Sequence, residues 1–151
     1  MSAEIVIEAA TESDLPAILA LYAQPEIDDG QQLSPPAAKE IFARINTYPN
    51  YTVFVAKVKG EIVGTFALLI MDNLGHLGAS SGLVEDVAVS PIRQGGGIGT
   101  AMMKFAMEKC REAGCYKLAL SSSLNRTKAH RFYRALGFEQ HGYSFLVVLP
   151  V

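Results

Sequence analysis

Apolar and polar positions alternate in EIVIEAA, where Ile5 and Ile7 face one way and Val6 the other; this is the period of a strand. The period then lengthens. In TESDLPAILALYA, Leu15, Ile18, Leu19 and Tyr22 fall at helical spacing, with Thr11 placed to cap, Asp14 three residues on and Pro16 early. QPEIDDGQQLSPP has the Pro, Gly and Asp content of a loop. A second helix, AAKEIFARINTY, follows Ser34, Pro35 and Pro36 and stops before Pro49. TVFVAKV and EIVGTFALLIM then flank the short turn Lys59-Gly60, a hairpin signal. After the loop DNLGHLGASSG, LVEDVAVS reads as a strand ended by Pro91.

The second half repeats the strand-then-helix pattern. RQGGGIGT leads into a helix that runs to about Ala113, with Gly114 where a helix terminates. YKLALSSS is a strand. NRTKAHRFYRALG is a helix with Ala129, Phe132, Tyr133 and Leu136 on one face and Gly137 closing it, and FEQ and YSFLVVLPV read as two final strands. The expected fold is therefore α/β, in the order β-α-α-β-β-β-α-β-α-β-β, one domain over residues 1–151. The sheet is mixed and mostly antiparallel, flanked by helices. Its central strands LVEDVAVS and YKLALSSS should be parallel, because a crossover helix joins them.

Charge and composition narrow the function. The 151 residues include 13 basic and 15 acidic side chains, a net charge of -2, which gives no support to nucleic-acid wrapping or membrane-surface binding. The longest apolar run, TFALLIM, is far short of the roughly 20 residues of a membrane span. The start MSAEIVIEAATESD lacks a basic region and a long apolar core, so no signal peptide is read there and a cytoplasmic protein is expected. Cys110 and Cys115 are not in CxxC spacing and suggest neither a disulfide framework nor a zinc site; no metal cluster is apparent.

The glycine stretch carries the chemistry. Gly95, Gly96, Gly97 and Gly99 crowd a strand-to-helix turn, where the first helical N–H groups lack partners and the helix dipole favours an anion. Glycine lets the backbone come close and take positive φ. Two better-known phosphate patterns fail. GxxxxGK[ST] has no match, because no Gly-Lys-Ser/Thr occurs. GxGxxG fails at Thr100 or Met102, depending on the start, and YKLALSSSLN offers no acid for a ribose.

A third pattern, Q-x-x-G-x-G, fits Gln94, Gly97 and Gly99. Preceded by VEDVAVSP and followed by LNRTKAHRFYRALGFE, it resembles the acyl-CoA motif and the closing helix of the GNAT superfamily of N-acetyltransferases. The resemblance covers essentially the whole chain and is strongest over residues 83–139. It implies an acetyl-CoA-dependent transfer to a primary amine of a small molecule, made directly within a ternary complex and without a metal. It further implies that the backbone N–H groups of Gln94, Gly95, Gly96, Gly97, Ile98, Gly99 and Thr100 hold the pyrophosphate of coenzyme A. The main chain at Val87, Ala88 and Val89 would pair with the pantetheine arm, beside a bulge sought in VEDVAV, and Val87 N–H would meet the oxyanion.

The same resemblance assigns side chains, each with a plainer alternative. Asn125 matches the polar residue that contacts pantetheine; it also suits a helix-opening cap. Tyr133 matches the acid that protonates the leaving thiolate, although its spacing equally suits a core tyrosine. Glu85 or Asp86 would relay the proton of the amine, with Glu85 favoured and Asp86 left to the substrate; a pair of hydrogen-bonded structural acids is the alternative. Strand alternation sets Glu85 on a face with Val87 and Val89, and Asp86 with Val84 and Ala88. Glu26, Asp28 and Asp29 occupy the loop expected to line the acceptor pocket, or a solvated loop. Arg126, Lys128, Arg131 and Arg134 make the last helix basic, facing a phosphate or simply water. VEDVAVSP with GCYKL is similar to glucosamine-6-phosphate N-acetyltransferases, and NRTKAHRFY to aminoalkylphosphonate-type ones, neither closely enough to transfer the substrate. Protein or peptide acetylation and a non-catalytic acyl-CoA sensor are the competing readings. The apolar end YSFLVVLPV reads as an edge strand in want of cover, which makes a homodimer an option.

Overall fold

The computed structural model describes residues 3–150; Met1, Ser2 and Val151, which belong to the first and last segments read above, lie outside the described residues. The elements are β1 (Ile5–Ala9), α1 (Leu15–Tyr22), α2 (Pro35–Ile45), β2 (Tyr51–Val58), β3 (Glu61–Met71), β4 (Ser80–Val89), α3 (Ile98–Glu112), β5 (Cys115–Ala119) and α4 (Thr127–Ala135). One sheet takes the strands in chain order, β1-β2-β3-β4-β5. Its pairs are antiparallel except β4 with β5, which are parallel as the α3 crossover requires. The chain divides after β5 into two compact units, one ending at Ala119 and one beginning at Leu120.

Local chemistry sets the element ends. The Asp14 carboxylate accepts from the Thr11 N–H at 2.9 Å and from its hydroxyl at 3.2 Å, closing a short 3-10 turn before α1. Ser34 Oγ accepts from the Ala37 N–H at 3.3 Å, and Pro35 and Pro36 lie inside the first turn of α2, where a missing N–H costs nothing. Lys59 and Gly60 have φ 51° and 78°. Val58 pairs with Glu61 across them, the two-residue hairpin turn whose twist matches the strands.

In the first unit the core lies on both faces of β3, where Val63, Thr65, Phe66, Ala67 and Leu68 are buried. Phe54 stacks on Phe66 at 5.3 Å between ring centres and meets Phe105 of α3 edge-on at 5.0 Å. Met102, Met103 and Ala106 complete the α3 side. Leu15, Ile18, Ala38, Phe42 and Val55 form a second cluster under α1 and α2.

The closing strands differ from expectation. Residues 138–150 form no strand among the described residues, and Tyr143, Phe145, Leu146, Val147, Val148 and Leu149 are 70–89% exposed. Strand periodicity describes a segment, whereas a strand exists only when its backbone finds a partner edge.

Candidate active site around the bulged end of β4

β4 changes character along its length. Ser80, Ser81, Gly82 and Leu83 pair with β5, and β5 ends at Ala119 opposite Leu83. Residues 84–89 therefore have no strand partner on that side among the described residues. Their ladder with β3 is also interrupted: Thr65 pairs with Ala88 and Ala67 with Glu85, so Phe66 alone faces both Asp86 and Val87. That is a β-bulge at the place where one was sought. Asp86 takes φ 55°, a left-handed conformation unusual for a residue with a side chain.

The bulge corrects the expected facing of the two acids. Strict alternation would separate Glu85 from Asp86, but the extra residue breaks the phase, and both are exposed. Around them the first unit assembles groups that no sequence pattern had singled out. The Tyr22 hydroxyl donates to the Asp86 carbonyl at 3.0 Å, and Gln24 Nε2 donates to the Val89 carbonyl at 3.0 Å. Neighbouring atoms partly screen the Asp86 carboxyl from water and Asp28 adds its charge, so its pKa lies above the ordinary aspartate value. Burial and then the charge of Asp86 push the Tyr22 phenol well above its usual value. Tyr51 is raised for the same reasons, with Glu85 contributing. Asp28, Glu85 and Asp86 are thus brought together, with two tyrosines beside them. Helical spacing had shown Tyr22 only as one of four residues on an apolar face.

The acidic loop is ordered by its own backbone. Asp28 N–H donates to the Tyr22 carbonyl at 3.0 Å, Asp29 N–H to Gln24 at 3.1 Å, and Gly30 N–H to Ala23 at 2.7 Å. These bonds satisfy the carbonyl that ends α1, that of Tyr22, and those of the two residues after it. Asp29 and Gly30 accommodate the reversal with φ 49° and 83°. Glu26 and Asp29 lie in the same exposed loop.

The glycine turn follows β4. Gly95 and Gly97 have φ 83° and 82°, and Gly97 is the residue immediately before α3. The first bond of the helix runs from the Ala101 N–H to the Gly97 carbonyl at 3.0 Å. The N–H groups of Ile98, Gly99 and Thr100 precede it, at the positive end of a 15-residue helix. Gly96 sits with a hypothetical Cβ 3.1 Å from the Arg93 carbonyl, which explains a glycine between the two positive-φ positions.

In the second unit, Asn125 lies in an exposed turn, and α4 opens at Thr127 after Arg126 without a side-chain cap. The capping alternative for Asn125 therefore has no counterpart here. His130 Nε2 donates to the Ser123 carbonyl at 2.7 Å and ties this turn to α4. Ser122 Oγ, in the same segment, is buried and has no hydrogen-bond partner among the described residues. Tyr133 packs edge-on against Phe132 and Phe138, at 5.2 and 5.6 Å. Burial raises its pKa, and Arg126 only partly offsets this. Arg131, Arg134 and Lys128 are exposed on α4. Burial, with Cys115 beside it, pushes the Cys110 thiol up to about 12, so it is no thiolate nucleophile at neutral pH.

A family model described as the acetyltransferase (GNAT) family matches residues 15–138. A glucosamine 6-phosphate N-acetyltransferase of Trypanosoma brucei brucei is 39% identical over 89 residues, which are 59% of this chain and 58% of that protein. The chain therefore matches less than two thirds of that relative's length. An aminoalkylphosphonate N-acetyltransferase of Salmonella typhimurium strain LT2 is 32% identical over 113 residues, 75% of this chain and 73% of that enzyme. Among solved structures, a protein from Bacillus halodurans C-125 named a transcriptional regulator superposes with a TM-score of 0.90 at 26% identity, over 97% of this chain and all of that one.

Proposed function

Because this chain belongs to the GNAT acetyltransferase family, we propose that it transfers an acetyl group from acetyl-CoA directly to the primary amine of a small molecule. The observation that carries the reading is the bulged end of β4, with no partner from β5, followed by the Gly97-led start of α3. An open strand edge can take an extended ligand as an added strand. Here the main chain at Val87, Ala88 and Val89 accepts the pantetheine arm. The N–H groups from Gln94 to Thr100 hold the pyrophosphate, with Gly95 and Gly97 supplying the positive φ that the turn requires.

In the reaction the amine nitrogen attacks the thioester carbon, the C–N bond forms and the C–S bond breaks. Val87 N–H donates to the oxygen that gains charge. A carboxylate takes the proton that the ammonium must lose, through water. Burial and the charge of Asp28 raise the pKa of Asp86, which suits it to that role, and Glu85 anchors the cationic acceptor with Glu26, Asp28 and Asp29. Tyr133, kept protonated by burial, gives its proton to the leaving thiolate and recovers one as the acylated nitrogen sheds its second proton to become the amide, and Asn125 contacts the pantetheine. The acids around the bulge support a cationic acceptor. The names of the two enzyme relatives support an amine bearing a phosphate or phosphonate, for which Arg126, Lys128, Arg131 and Arg134 are the counter-charges. A homodimer covering the apolar tail belongs to the same reading.

The name of the Bacillus halodurans protein favours a second reading, a non-catalytic acyl-CoA sensor. Incubation with acetyl-CoA and a panel of amino sugars, their phosphates, aminophosphonates, polyamines and peptides, following free thiol, separates the two. Release with small amines supports the transferase, and release with peptides alone moves it to protein acetylation. Tight acetyl-CoA binding with no release on any acceptor leaves the sensor.

A further inference from the structure

The end of β4 is held from outside the sheet. Residues 84–89 have β3 as their strand neighbour, and the bulge breaks that ladder between Glu85 and Ala88. Asp86 sits within the break at φ 55°, a backbone state that an L-residue with a side chain adopts at a cost. A segment so poorly supported would be expected to open easily. Two side chains from the end of α1 and the turn after it span the gap. Tyr22 donates to the carbonyl inside the bulge, that of Asp86, and Gln24 donates to the carbonyl that ends the strand, that of Val89, both at 3.0 Å. Their own backbone is fixed in turn, because the Tyr22, Ala23 and Gln24 carbonyls accept from Asp28, Gly30 and Asp29.

We propose that Tyr22 and Gln24 are positioning residues, a two-point clamp that holds the bulged end of β4 and so aims the Val87 N–H. The role in transfer rests on the function proposed above; the clamp itself does not. Tyr22 fixes the peptide plane between Asp86 and Val87, because the carbonyl it binds and the Val87 N–H belong to the same rigid amide. A turn of that plane would move both groups together. Burial keeps the Tyr22 phenol protonated well above neutrality, so the donor is present across the working range and the clamp is not a pH switch.

Amide hydrogen exchange and steady-state kinetics on the full chain test this. Tyr22→Phe keeps the ring and removes only the hydroxyl. Exchange of the amides at 86–88 should quicken by about tenfold or more. If the proposed reaction is correct, kcat should fall roughly 10- to 100-fold through a misaimed donor, while the acetyl-CoA KM and the pH profile stay as in the wild type. Gln24→Met should quicken exchange around 89–90 instead. Unchanged exchange at 86–88 in Tyr22→Phe overturns the clamp whether or not any amine is acetylated. Faster exchange with unchanged kcat overturns the aiming role alone. A wild-type protein inactive on every amine defeats the proposed function and leaves the exchange result to decide the clamp. Should Tyr22→Phe fail to fold, NMR of the wild type decides. A slowly exchanging Tyr22 hydroxyl proton with a cross-peak to Asp86 or Val87 supports the clamp, and one exchanging at the rate of a free phenol overturns it.

Discussion

Asp86 carries two separate costs. Its φ of 55° is disfavoured by roughly 1–2 kcal/mol for a residue with a Cβ, and its carboxyl is harder to ionise than an ordinary one. The second cost has a pH signature. A carboxyl whose pKa is raised on folding binds its proton more tightly in the folded state. Stability from this source is thus full below the ordinary aspartate value, near ~3.9, and is lost as pH rises through the raised one. Asp86→Asn should accordingly raise Tm at pH 7 more than at pH 3.5. A difference in Tm independent of pH would show only that asparagine tolerates the backbone better. Tyr133→Phe should lower kcat by roughly 10²- to 10⁴-fold, the usual range for a general acid, with acetyl-CoA affinity unchanged; an unchanged rate removes Tyr133 from the chemistry. Gly97→Ala places a Cβ at φ 82° and should weaken acetyl-CoA binding by calorimetry while lowering stability by about 1–2 kcal/mol.

At the scale of elements, α3 and β4 meet where the chain is smallest. A Cβ on Gly82 would collide with Cys110 Sγ and come within 3.2 Å of Leu118. Gly82→Ala should push α3 outward and destabilise by about 1–3 kcal/mol, the usual cost of overpacking a core, measured by denaturant unfolding. Those contacts were not legible beforehand, because Gly82 appeared only as part of a loop. By contrast, apolar spacing marked α1 and α4, proline and glycine boundaries marked α2 and α3, and Lys59-Gly60 marked the hairpin, since these signals are local. The bulge was not legible in the residues themselves; the family resemblance alone pointed to VEDVAV as its place. Its effect on Glu85 and Asp86 depends on the two-against-one pairing with Phe66, which involves a second strand. Tyr22 and Gln24 escaped for the same reason: their partners lie 64 and 65 residues away.

For the whole molecule, membership of the GNAT family implies an acetyl-CoA donor, and the acids proposed for the acceptor lie in the first unit. No described helix is long and apolar enough to cross a membrane. Tyr143, Phe145, Leu146, Val147, Val148 and Leu149 are exposed close together in the chain, and clustered exposed apolar side chains mark contact surfaces. Sedimentation should therefore find a dimer that Phe145→Asp weakens, and a monomer at all concentrations would contradict that assembly. The central claim is direct transfer to a small amine, and one measurement addresses it. The protein is given acetyl-CoA labelled with ¹³C in the acetyl group, together with the best acceptor of the panel, and all products are read by mass spectrometry. The account predicts one labelled N-acetyl amine for each coenzyme A released, with no label retained on the protein. Label found only on protein or peptide, or acetyl-CoA bound and left intact, would contradict it.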